Sequence, residues 1–501
     1  MTDFPTYPTD PQAVEVQAAA DQAVDWALTH GLCMKPALPK ATTSAELQQG
    51  TGLATHAPFA LFPSPFPSDC FQHALTIQPY LNQLFHAIAN DHAFLEEHLQ
   101  HLTHVDDFTA RLFRLYLETR PYAKRQPITL AFHRSDYLLH SGSETTETVP
   151  QRLALHQVEF NTISVSFSSL GNVVSNLHRY LWDQPTYRHQ IQGPASLATR
   201  TKDALLPPND CIQGLPEALG RAWELYGNPQ AAILMIVQPG ERNIFDQRFI
   251  EYALQRDYHV TVLRKTLAEV HDQAAVDPTT YALRIQGHEI AVAYYRSAYS
   301  PTDFRTEQDW QARALVEQSK AIKCPNVAYQ LAGTKKIQEV LSRAGVLERF
   351  VQDPQVRMQI QQCFTGLYPL DQSPEGRQAY QLALAHPERF VMKPQREGGG
   401  NNVYGRDIPP VLQSLSEKDQ AAYILMDLIQ PPELHNVLVH QGKVQRGPVI
   451  SELGIFGTWL SQGNRVILNK PAGHLLRTKV ASSNEGGIAA GFGVIDSPLL
   501  I

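Results

Sequence analysis

The first part of the chain carries apolar residues at helical spacing. They recur after Asp10 and Pro11 as Val14, Val16, Ala20, Val24, Ala27 and Leu28. Asp10 is a suitable N-cap, Pro11 is a suitable first helical residue and Gly31 marks an end, so we expect one long helix here. A second helix is predicted from Phe108, Leu112, Phe113, Leu115 and Tyr116. The N-terminal region is therefore predicted to be mainly helical.

Beyond about residue 120, apolar and polar residues alternate, which is typical of strands. The alternation covers PITLAFHR (127–134) and HQVEFNTISVSF (156–167), and the polar insertion HSGSETTETVP separates them. We expect these two segments to pair, with the insertion as a surface loop. On the second strand, Glu159 and Asn161 should project to one face while Val158 and Phe160 face the core.

Around residue 230 the pattern changes again. A continuous apolar run, AAILMIVQ, precedes a helical segment, IFDQRFIEYALQ, and a further strand run, HVTVLRKT. This order predicts a βαβ unit with parallel strands and a right-handed crossover. The segment EIAVAYYR extends the same sheet, so we expect a small α/β domain over about residues 228–325.

The last third of the chain reads as two groups of strands. One group contains RFVMKPQ and AYILMDLI, and the other pairs VISELGIFGTWL with RVILNKPAGHLLRTK as antiparallel sheet. The expected division is thus 1–227, 228–325 and 326–501. A length of 501 residues agrees with roughly three domains.

Composition and charge exclude several classes of function. The net charge is −7 and no long basic run occurs, so the footprint of a nucleic-acid-binding protein is missing. The five cysteines are scattered without a CxxC pair, which argues against a disulfide framework or a zinc site and for a reducing compartment. Neither a signal peptide nor a long apolar run is found. We expect a cytoplasmic protein without a membrane span.

The stretch FVMKPQREGGGNNVYG (390–405) carries the strongest candidate chemistry. Backbone N–H groups of Gly398, Gly399 and Gly400 could cradle phosphate oxygens, with Lys393 as a point charge and Glu397 as a Mg²⁺ ligand. The spacing fits neither a Walker loop nor the Rossmann fingerprint. A flexible surface turn is the alternative, since three glycines also suit an unconstrained loop.

Glu159 and Asn161 form a second candidate site, because two oxygen donors on one strand face suit Mg²⁺. Ser164 and Ser166 extend the polar row and could donate hydrogen bonds to a peptide-like substrate. A half-exposed strand with a polar outer face explains the same pattern.

Two other stretches place charges where ligands commonly bind. VQPGERNIFDQ follows the first strand of the βαβ unit, with Asn243 as a candidate N-cap, and Arg296 and Tyr299 should emerge at the same sheet edge. Near the C-terminus, Arg477 and Lys479 alternate onto one face, suited to carboxylate and phosphate respectively. Simple helix capping and a charged edge strand are the respective alternatives.

Taken in order, several motifs resemble the eukaryotic-type glutathione synthetases, a family of ATP-grasp ligases: FHRSDY, EFNTISVSF, ERNIFDQR, YYR, QLAGTKK, RFVMKPQREGGGNNVYG, YILM, SELGIFG and GHLLRTK. The resemblance runs from about residue 120 to the C-terminus. It implies an α/β (α+β) ATP-grasp fold with antiparallel sheets, a lid at about 365–450, a helical N-terminal part and a small parallel α/β substrate domain. It also implies a cytoplasmic homodimer that uses ATP and Mg²⁺ to join γ-glutamylcysteine to glycine through an acyl phosphate.

The resemblance further implies roles for individual residues. The catalytic cations are Arg477, Lys335 and Lys393. The metal ligands are Glu159, Asn161 and Glu397. The nucleotide site comprises Lys335, Lys393, Gly398, Gly399, Gly400, Asn402, Tyr404, Met426, Asp427, Leu428, Ile429, Glu452, Lys479 and Glu485. The other substrates are held by Arg134, Ser164, Ser166, Glu241, Asn243, Gln247, Arg296, Tyr299, Arg477, Ile488 and Ala489.

Three stretches depart from the family pattern: the serines of SVSFSSL, Asp427 with Leu428, and the insertion HSGSETTETVP. Two alternatives remain at this point. One is the same ligase with another acceptor such as β-alanine, although Ala489 and Ala490 resemble the glycine-using form. The other is a non-catalytic ATP-binding regulatory protein.

Overall fold

The computed structural model describes residues 4–8, 10, 12–36, 53–142, 153–395, 400–484, 486–488, 491 and 493–501. Its strands are β1 (Cys33–Met34), β2 (Thr55–His56), β3 (Phe59–Ala60), β4 (Ser64–Phe66), β5 (Ile128–His140), β6 (Ala154–Asn161), β7 (Ala232–Ile236), β8 (Val262–Lys265), β9 (Ala274–Val276), β10 (Leu283–Ile285), β11 (His288–Tyr295), β12 (Ile322–Cys324), β13 (Leu367–Pro369), β14 (Phe390–Pro394), β15 (Val403–Tyr404), β16 (Tyr423–Asp427), β17 (Leu434–His440), β18 (Lys443–Gln462), β19 (Arg465–Val480), β20 (Gly493–Asp496) and β21 (Pro498–Leu500).

The helices of the described residues are α1 (Val14–Thr29), α2 (Ser68–Asn90), α3 (His92–Leu99), α4 (Asp107–Thr119), α5 (Ser168–Trp182), α6 (Pro185–Arg188), α7 (Ser196–Thr199), α8 (Lys202–Leu205), α9 (Cys211–Tyr226), α10 (Ile244–Tyr258), α11 (Leu267–Gln273), α12 (Glu307–Gln318), α13 (Val327–Ala332), α14 (Lys335–Leu341), α15 (Pro354–Gln361), α16 (Pro374–Ala385), α17 (Ile408–Ser414) and α18 (Glu417–Gln420). Within those ranges, no helix is long and apolar enough to cross a bilayer.

A seven-stranded sheet forms the body of the molecule, in the order β17-β3-β20-β19-β18-β5-β6. The predicted pairings of β5 with β6 and of β18 with β19 are both confirmed as antiparallel. On one face, Ile128, Leu130 and Phe132 of β5 pack into the core shared with α5 and α9. Farther along the same face Arg134 and Leu138 line a cavity instead. The apolar pattern of one strand thus ends where the polar site begins.

The predicted βαβ unit is also confirmed. Strands β7 and β8 are parallel and joined through α10, and β11 lies parallel on the other side of β7. Strand β12 is parallel to β11, while β9 and β10 add an antiparallel end. Tyr299, in the loop after β11, lines the cavity of the body, and Gln238, in the loop after β7, donates a hydrogen bond to the Tyr299 hydroxyl.

A third, four-stranded antiparallel sheet has the order β13-β16-β14-β15. Phe390, Met392 and Leu425 pack against α16 and α17, whereas Val391 and Met426 face away from those helices. The alternation expected of RFVMKPQ and AYILMDLI therefore gives this sheet one core face and one face that is turned to the cavity.

Two local predictions at the N-terminus and in β6 need correction. Helix α1 begins at Val14, because the Asp10 carboxylate accepts a hydrogen bond from the Gln12 N–H in a turn that precedes the helix; Pro11 lies outside the described residues. The end of the helix near Gly31, whose φ is +76°, agrees with the prediction. The second predicted helix is confirmed as α4.

Strand β6 ends at Asn161, so Ser164 and Ser166 do not continue its polar row. Ser164 has a φ of +53° and belongs to a loop. A β-bulge opposite Asp136 and Tyr137 also shifts the alternation, and Val158 lines the cavity together with Glu159 instead of facing the core. Phe160 is buried in the core as predicted.

Candidate active site

A cavity of about 720 Å³ lies between the seven-stranded and four-stranded sheets. Most of the predicted site residues line it: Arg134, Glu159, Asn161, Ser164, Ser166, Tyr299, Lys335, Lys393, Asn402, Tyr404, Met426, Asp427, Leu428, Ile429, Glu452, Arg477, Lys479 and Ile488. Glu397, Gly398, Gly399, Glu485 and Ala489 lie outside the described residues. Gly400 is described, with a φ of +77°, but is not part of the lining.

Strand register builds the charged floor of the cavity. Asp136 lies opposite Glu159, Arg134 lies opposite Asn161, and Glu452 of β18 lies opposite Arg477 of β19. Because paired residues project to the same face of a sheet, these three residue pairs bring their side chains together. Side chains separated by more than 300 positions in the chain therefore meet.

Asp136 is at the centre of this floor, fully buried. Its carboxylate accepts two hydrogen bonds from Arg134, at 2.6 and 2.8 Å, and one from Arg477 Nη2, at 2.9 Å. Arg477 also donates to Glu452. Burial alone would lower the pKa of Arg477, but the carboxylates of Glu452, Asp136 and Glu159 raise it above its usual value. Arg477 is therefore a permanent cation.

The pair Glu159 and Asn161 stands beside this network. Asn161 Nδ2 donates to Glu159 Oε1 at 3.2 Å and to Asp136 Oδ2 at 3.0 Å. Burial favours the protonated form of Glu159, but the ammonium groups of Lys335 and Lys393 hold its pKa at about 2. Glu159 is thus ionised at neutral pH, with Lys335 Nζ 3.6 Å from its Oε2.

An ionised carboxylate next to an amide oxygen fits the ligand preference of Mg²⁺. Within the described ranges there is no cluster of three or more His, Cys, Asp and Glu side chains that could hold a metal. The third ligand that the resemblance implies, Glu397, lies outside those ranges. The described donors fit a metal held partly by protein and partly by substrate phosphates, as is usual for Mg²⁺.

Three lysines approach the cavity from different elements. Lys335 is the first residue of α14 and Lys393 belongs to β14, and both side chains are buried. Lys393 Nζ donates to the Val158 carbonyl at 3.1 Å, which links the two sheets. Lys479 Nζ donates to the Asn484 carbonyl at 2.8 Å. This arrangement can neutralise a polyphosphate from several sides.

The other end of the cavity is apolar. Val391, Met426 and Ile429 form a small core cluster against Leu138, Val158 and Leu428. The Asp427 carboxylate accepts a hydrogen bond from the Tyr368 hydroxyl at 3.2 Å, and burial raises its pKa. An apolar slot with nearby backbone groups is suited to a flat heterocyclic base.

Ser164 and Ser166 reach the cavity from the loop after β6. Arg296 Nη2 donates to Ser166 Oγ at 2.8 Å, and its Nη1 donates to the Val165 carbonyl. Arg296 itself is not part of the lining, and neither are Glu241, Asn243 and Gln247. From the sequence, Glu241, Asn243, Gln247 and Arg296 were grouped with the substrate-binding residues. The structure places these four in a layer behind the loop that follows β6.

That layer is internally bonded. Glu241 accepts hydrogen bonds from the Asn243 N–H at 2.9 Å and from Gln247 Nε2 at 2.7 Å. The prediction that the Asn243 side chain caps the helix is wrong: α10 begins directly after it, but the side chain makes no capping bond. Instead its Nδ2 is 3.5 Å from Asp246 Oδ2, and its Oδ1 is buried without a partner in the described part of the chain.

The main site residue that the sequence reasoning missed is Asp136. It stands two positions after Arg134 in FHRSDY, so strand alternation puts it on the same face. That spacing was a usable signal. Asn401, Glu388 and Arg406 also line the cavity and were not singled out.

Comparison with known proteins agrees with this architecture. The family model described as eukaryotic glutathione synthase, ATP binding domain, matches residues 13–500. The glutathione synthetases of Homo sapiens and Xenopus laevis are 40% and 39% identical over 489 residues, with 97% of each chain covered. The chloroplastic glutathione synthetase of Solanum lycopersicum is 40% identical over 497 residues, covering 99% of this chain and 86% of the relative.

A solved structure of a glutathione synthetase-like effector from Globodera pallida in its apo form has the same fold. The TM-score is 0.74 at 23% sequence identity, and the alignment covers 99% of this chain and 98% of the other. A family match over nearly the whole chain, together with relatives of this identity and coverage, is decisive: the chain belongs to the eukaryotic glutathione synthase family.

Proposed function

We propose that the protein is an ATP- and Mg²⁺-dependent ligase that joins γ-glutamylcysteine to glycine, giving glutathione, ADP and phosphate. One observation carries the proposal: one cavity gathers three lysines, Arg477 and the Glu159–Asn161 pair at its polar end and an apolar slot at the other. Such a cavity suits a nucleotide with a second anionic substrate beside its phosphates.

The reaction has two steps. The cysteinyl carboxylate of the dipeptide attacks the γ-phosphorus of ATP, the bond to the bridging oxygen breaks, and ADP leaves. The glycine amine then attacks the acyl phosphate carbonyl and phosphate leaves, with one proton released from the amine. Both steps need charge neutralisation and alignment and no covalent help from the protein. The buried cysteines, Cys33, Cys70, Cys211, Cys324 and Cys363, have no role in it.

In this proposal Lys335 and Lys393 neutralise the phosphates, with Asn402, Tyr404 and Lys479 in the same nucleotide site. Residues 426–429 hold the base, and Glu452 binds the ribose end. Arg477 offers its guanidinium to the anionic carboxylate that reacts. Glu159 and Asn161 hold Mg²⁺, which supplies positive charge at the transferring phosphoryl group.

For the dipeptide, Arg134, Ser164, Ser166 and Tyr299 contact it directly. Glu241, Asn243, Gln247 and Arg296 support the loop from behind. Ile488 marks the place where glycine enters.

We also propose a division of the chain into domains. Residues 228–325 form the substrate domain, 1–227 and 326–501 form the ATP-grasp body, and about 365–450 act as a lid. We further propose a homodimer in the cytoplasm; since relatives include chloroplastic proteins, location needs a direct test.

The test is ADP release by the purified protein with Mg²⁺, ATP and γ-glutamylcysteine, in the presence of glycine, β-alanine or no acceptor. We expect strong turnover only with glycine, and mass spectrometry should identify glutathione. A preference for β-alanine would keep the chemistry and overturn the acceptor. Tight ATP binding without turnover on any acceptor would favour the regulatory protein instead.

A further inference from the structure

The junction between the two sheets that enclose the cavity is held by a set of hydrogen bonds at the backbone of one residue, Gln430. Strand β16 of the four-stranded sheet continues into residues 427–431, which line the cavity, and the chain then enters β17 of the seven-stranded sheet. Residue 430 lies in the middle of this crossing. Its side chain is exposed, but its backbone is not left to solvent.

Both polar groups of the Gln430 backbone bond to the end of β5. The N–H and the hydroxyl of Ser141 donate to the Gln430 carbonyl at 2.9 and 2.8 Å. The Gln430 N–H donates to His140 Nδ1 at 3.1 Å. Three hydrogen bonds from two consecutive residues thus tie the crossing segment to the seven-stranded sheet.

His140 is itself fixed in place. Its ring lies edge-on to the ring of His156 on β6, with centroids 5.1 Å apart. An imidazole nitrogen that accepts a hydrogen bond carries no proton, so the proton of a neutral His140 ring is on Nε2. The packing of the ring and the acceptor on Nδ1 are two separable contributions to the contact.

The residues next to Gln430 connect this contact with the cavity. Residues 427–430 all line the apolar end of the cavity. The Asp427 N–H donates to Gly366 and the Leu428 N–H donates to Arg389, both within the four-stranded part. In the described part of the chain, Gln430 is the only residue of this group with a hydrogen bond to His140 or Ser141 at the end of β5. It therefore sets the distance between the base-binding segment and the opposite sheet.

We propose that His140 and Ser141 are positioning residues for the nucleotide, which act through the backbone N–H and carbonyl of Gln430 to hold residues 426–429 at the right depth for the base. His140 is the last residue of β5 and Ser141 is the residue that follows it. The inference rests on the proposed function, because it takes the apolar end of the cavity as the base site.

The test uses two variants that separate the two contributions. His140→Phe keeps an aromatic ring against His156 and removes the acceptor. His140→Asn removes the ring and keeps an acceptor oxygen near the position of Nδ1. For the full chain, calorimetry gives the dissociation constant of MgADP. Steady-state kinetics gives kcat and the KM values of ATP and γ-glutamylcysteine, and thermal unfolding gives Tm.

We expect His140→Phe to raise the MgADP dissociation constant and the KM of ATP about fivefold, the usual effect of one lost hydrogen bond. The KM of the dipeptide and kcat at saturating ATP should stay within about twofold of wild type. His140→Asn should bind MgADP as wild type does. Weak MgADP binding by His140→Asn with normal binding by His140→Phe would overturn the inference and favour ring packing. Normal binding by both variants would also overturn the inference.

Ser141→Ala removes one of the two donors to the Gln430 carbonyl and keeps the other, the backbone N–H of residue 141. A smaller loss of MgADP affinity than in His140→Phe is expected, and unchanged affinity would exclude the Ser141 hydroxyl from the positioning role. A lower Tm in His140→Phe with unchanged affinity would mean a purely structural role. Since MgADP binding needs no turnover, this experiment is independent of the ligase assay. A wild-type protein that binds MgADP but shows no turnover would contradict only the proposed reaction.

Discussion

The two walls of the cavity are built in different ways. On the seven-stranded wall, a continuous chain of hydrogen bonds joins Arg134 to Asp136, Asp136 to Arg477 and Arg477 to Glu452, with Asp136 fully buried. Among the described residues, the four-stranded wall presents apolar side chains, one buried lysine, Lys393, and the carboxylate of Asp427. The first wall has its charges arranged before any ligand binds, which is the arrangement that favours transition-state stabilisation. The second is suited to hold the nucleotide.

This difference predicts that changes to the charged groups around Arg477 and Glu159 alter catalysis, whereas changes on the four-stranded wall alter nucleotide affinity. The largest effect is expected for Arg477→Met. It leaves Asp136 and Glu452 without a shared cation, and removing one partner of a buried charge pair lowers kcat/KM by about 100-fold or more. Steady-state kinetics with each substrate varied should show a greater loss for the dipeptide and glycine than for ATP.

Arg114→Met, at an exposed position of α4, is the control for the loss of one arginine. Equal losses for all three substrates would contradict the placement of Arg477 beside the reacting carboxylate. They would also remove the contrast between the walls.

A second effect is expected for Glu159→Gln, which keeps the shape of the side chain and removes its charge. Metal affinity depends on the number of charged oxygen ligands, so the Mg²⁺ concentration for half-maximal activity should rise roughly tenfold or more. A magnesium titration at saturating ATP measures it. Glu118→Gln, on the exposed face of α4, should leave the titration unchanged; an identical curve for both variants would exclude Glu159 as a ligand.

Asp496→Asn tests how the seven-stranded wall is held from its other side. Burial raises the pKa of Asp496 to about 7, although its carboxylate accepts hydrogen bonds from Ser64 Oγ at 2.6 Å and Thr478 Oγ1 at 2.7 Å. Between about pH 4 and pH 7 the unfolded chain is ionised at this residue while the folded protein keeps the proton. The stability that the protonated group contributes is therefore complete below pH 4 and is lost as the pH rises through 7.

The free energy of unfolding of wild type relative to Asp496→Asn should accordingly fall by about 2–3 kcal/mol from pH 5 to pH 8. Urea unfolding at the two pH values measures this difference. The amide can still face the same hydroxyl groups, so the variant should fold. A difference that does not change with pH would mean that Asp496 is ionised in the folded protein.

The smallest effect is expected on the four-stranded wall, for Tyr404→Phe. The Tyr404 hydroxyl donates to the Asn484 carbonyl and accepts from Asn402 Nδ2, both at 3.3 Å. The loss of these long hydrogen bonds should raise the KM of ATP about two- to fivefold with little change in kcat. If kcat falls instead by as much as in Glu159→Gln, the division of labour between the walls is wrong.

Local sequence patterns predicted the elements well where burial alternates regularly. The pairing of β5 with β6, the long β18–β19 hairpin and the βαβ unit all follow from apolar spacing, as does the placing of Glu159 and Asn161 on one face. The family motifs then supplied most of the cavity lining. These parts depend on periodicity, which a single segment contains.

The rest depends on contacts that no single segment contains. The bulge that turns Val158 to the cavity is fixed by the register against Asp136 and Tyr137. The end of β6 at Asn161 is set by where the α/β domain meets the loop, since Ser164 Oγ donates to carbonyls of Tyr295 and Ser297. The central place of Asp136 likewise follows from strand register. Tertiary pairing decides such details after local propensity has chosen the elements.

The strand order of the seven-stranded sheet has a consequence for biosynthesis. Strand β20, close to the C-terminal end of the sequence, lies between β19 and β3, and β3 comes from residues 59–60. The N-terminal residues leave the ribosome first, and domains fold as units during synthesis. The strands of residues 232–324 can assemble early, whereas β3 must wait for both of its neighbours, first β17 (Leu434–His440) and then β20 (Gly493–Asp496). The seven-stranded wall can therefore close only after residues 493–496 have been synthesised.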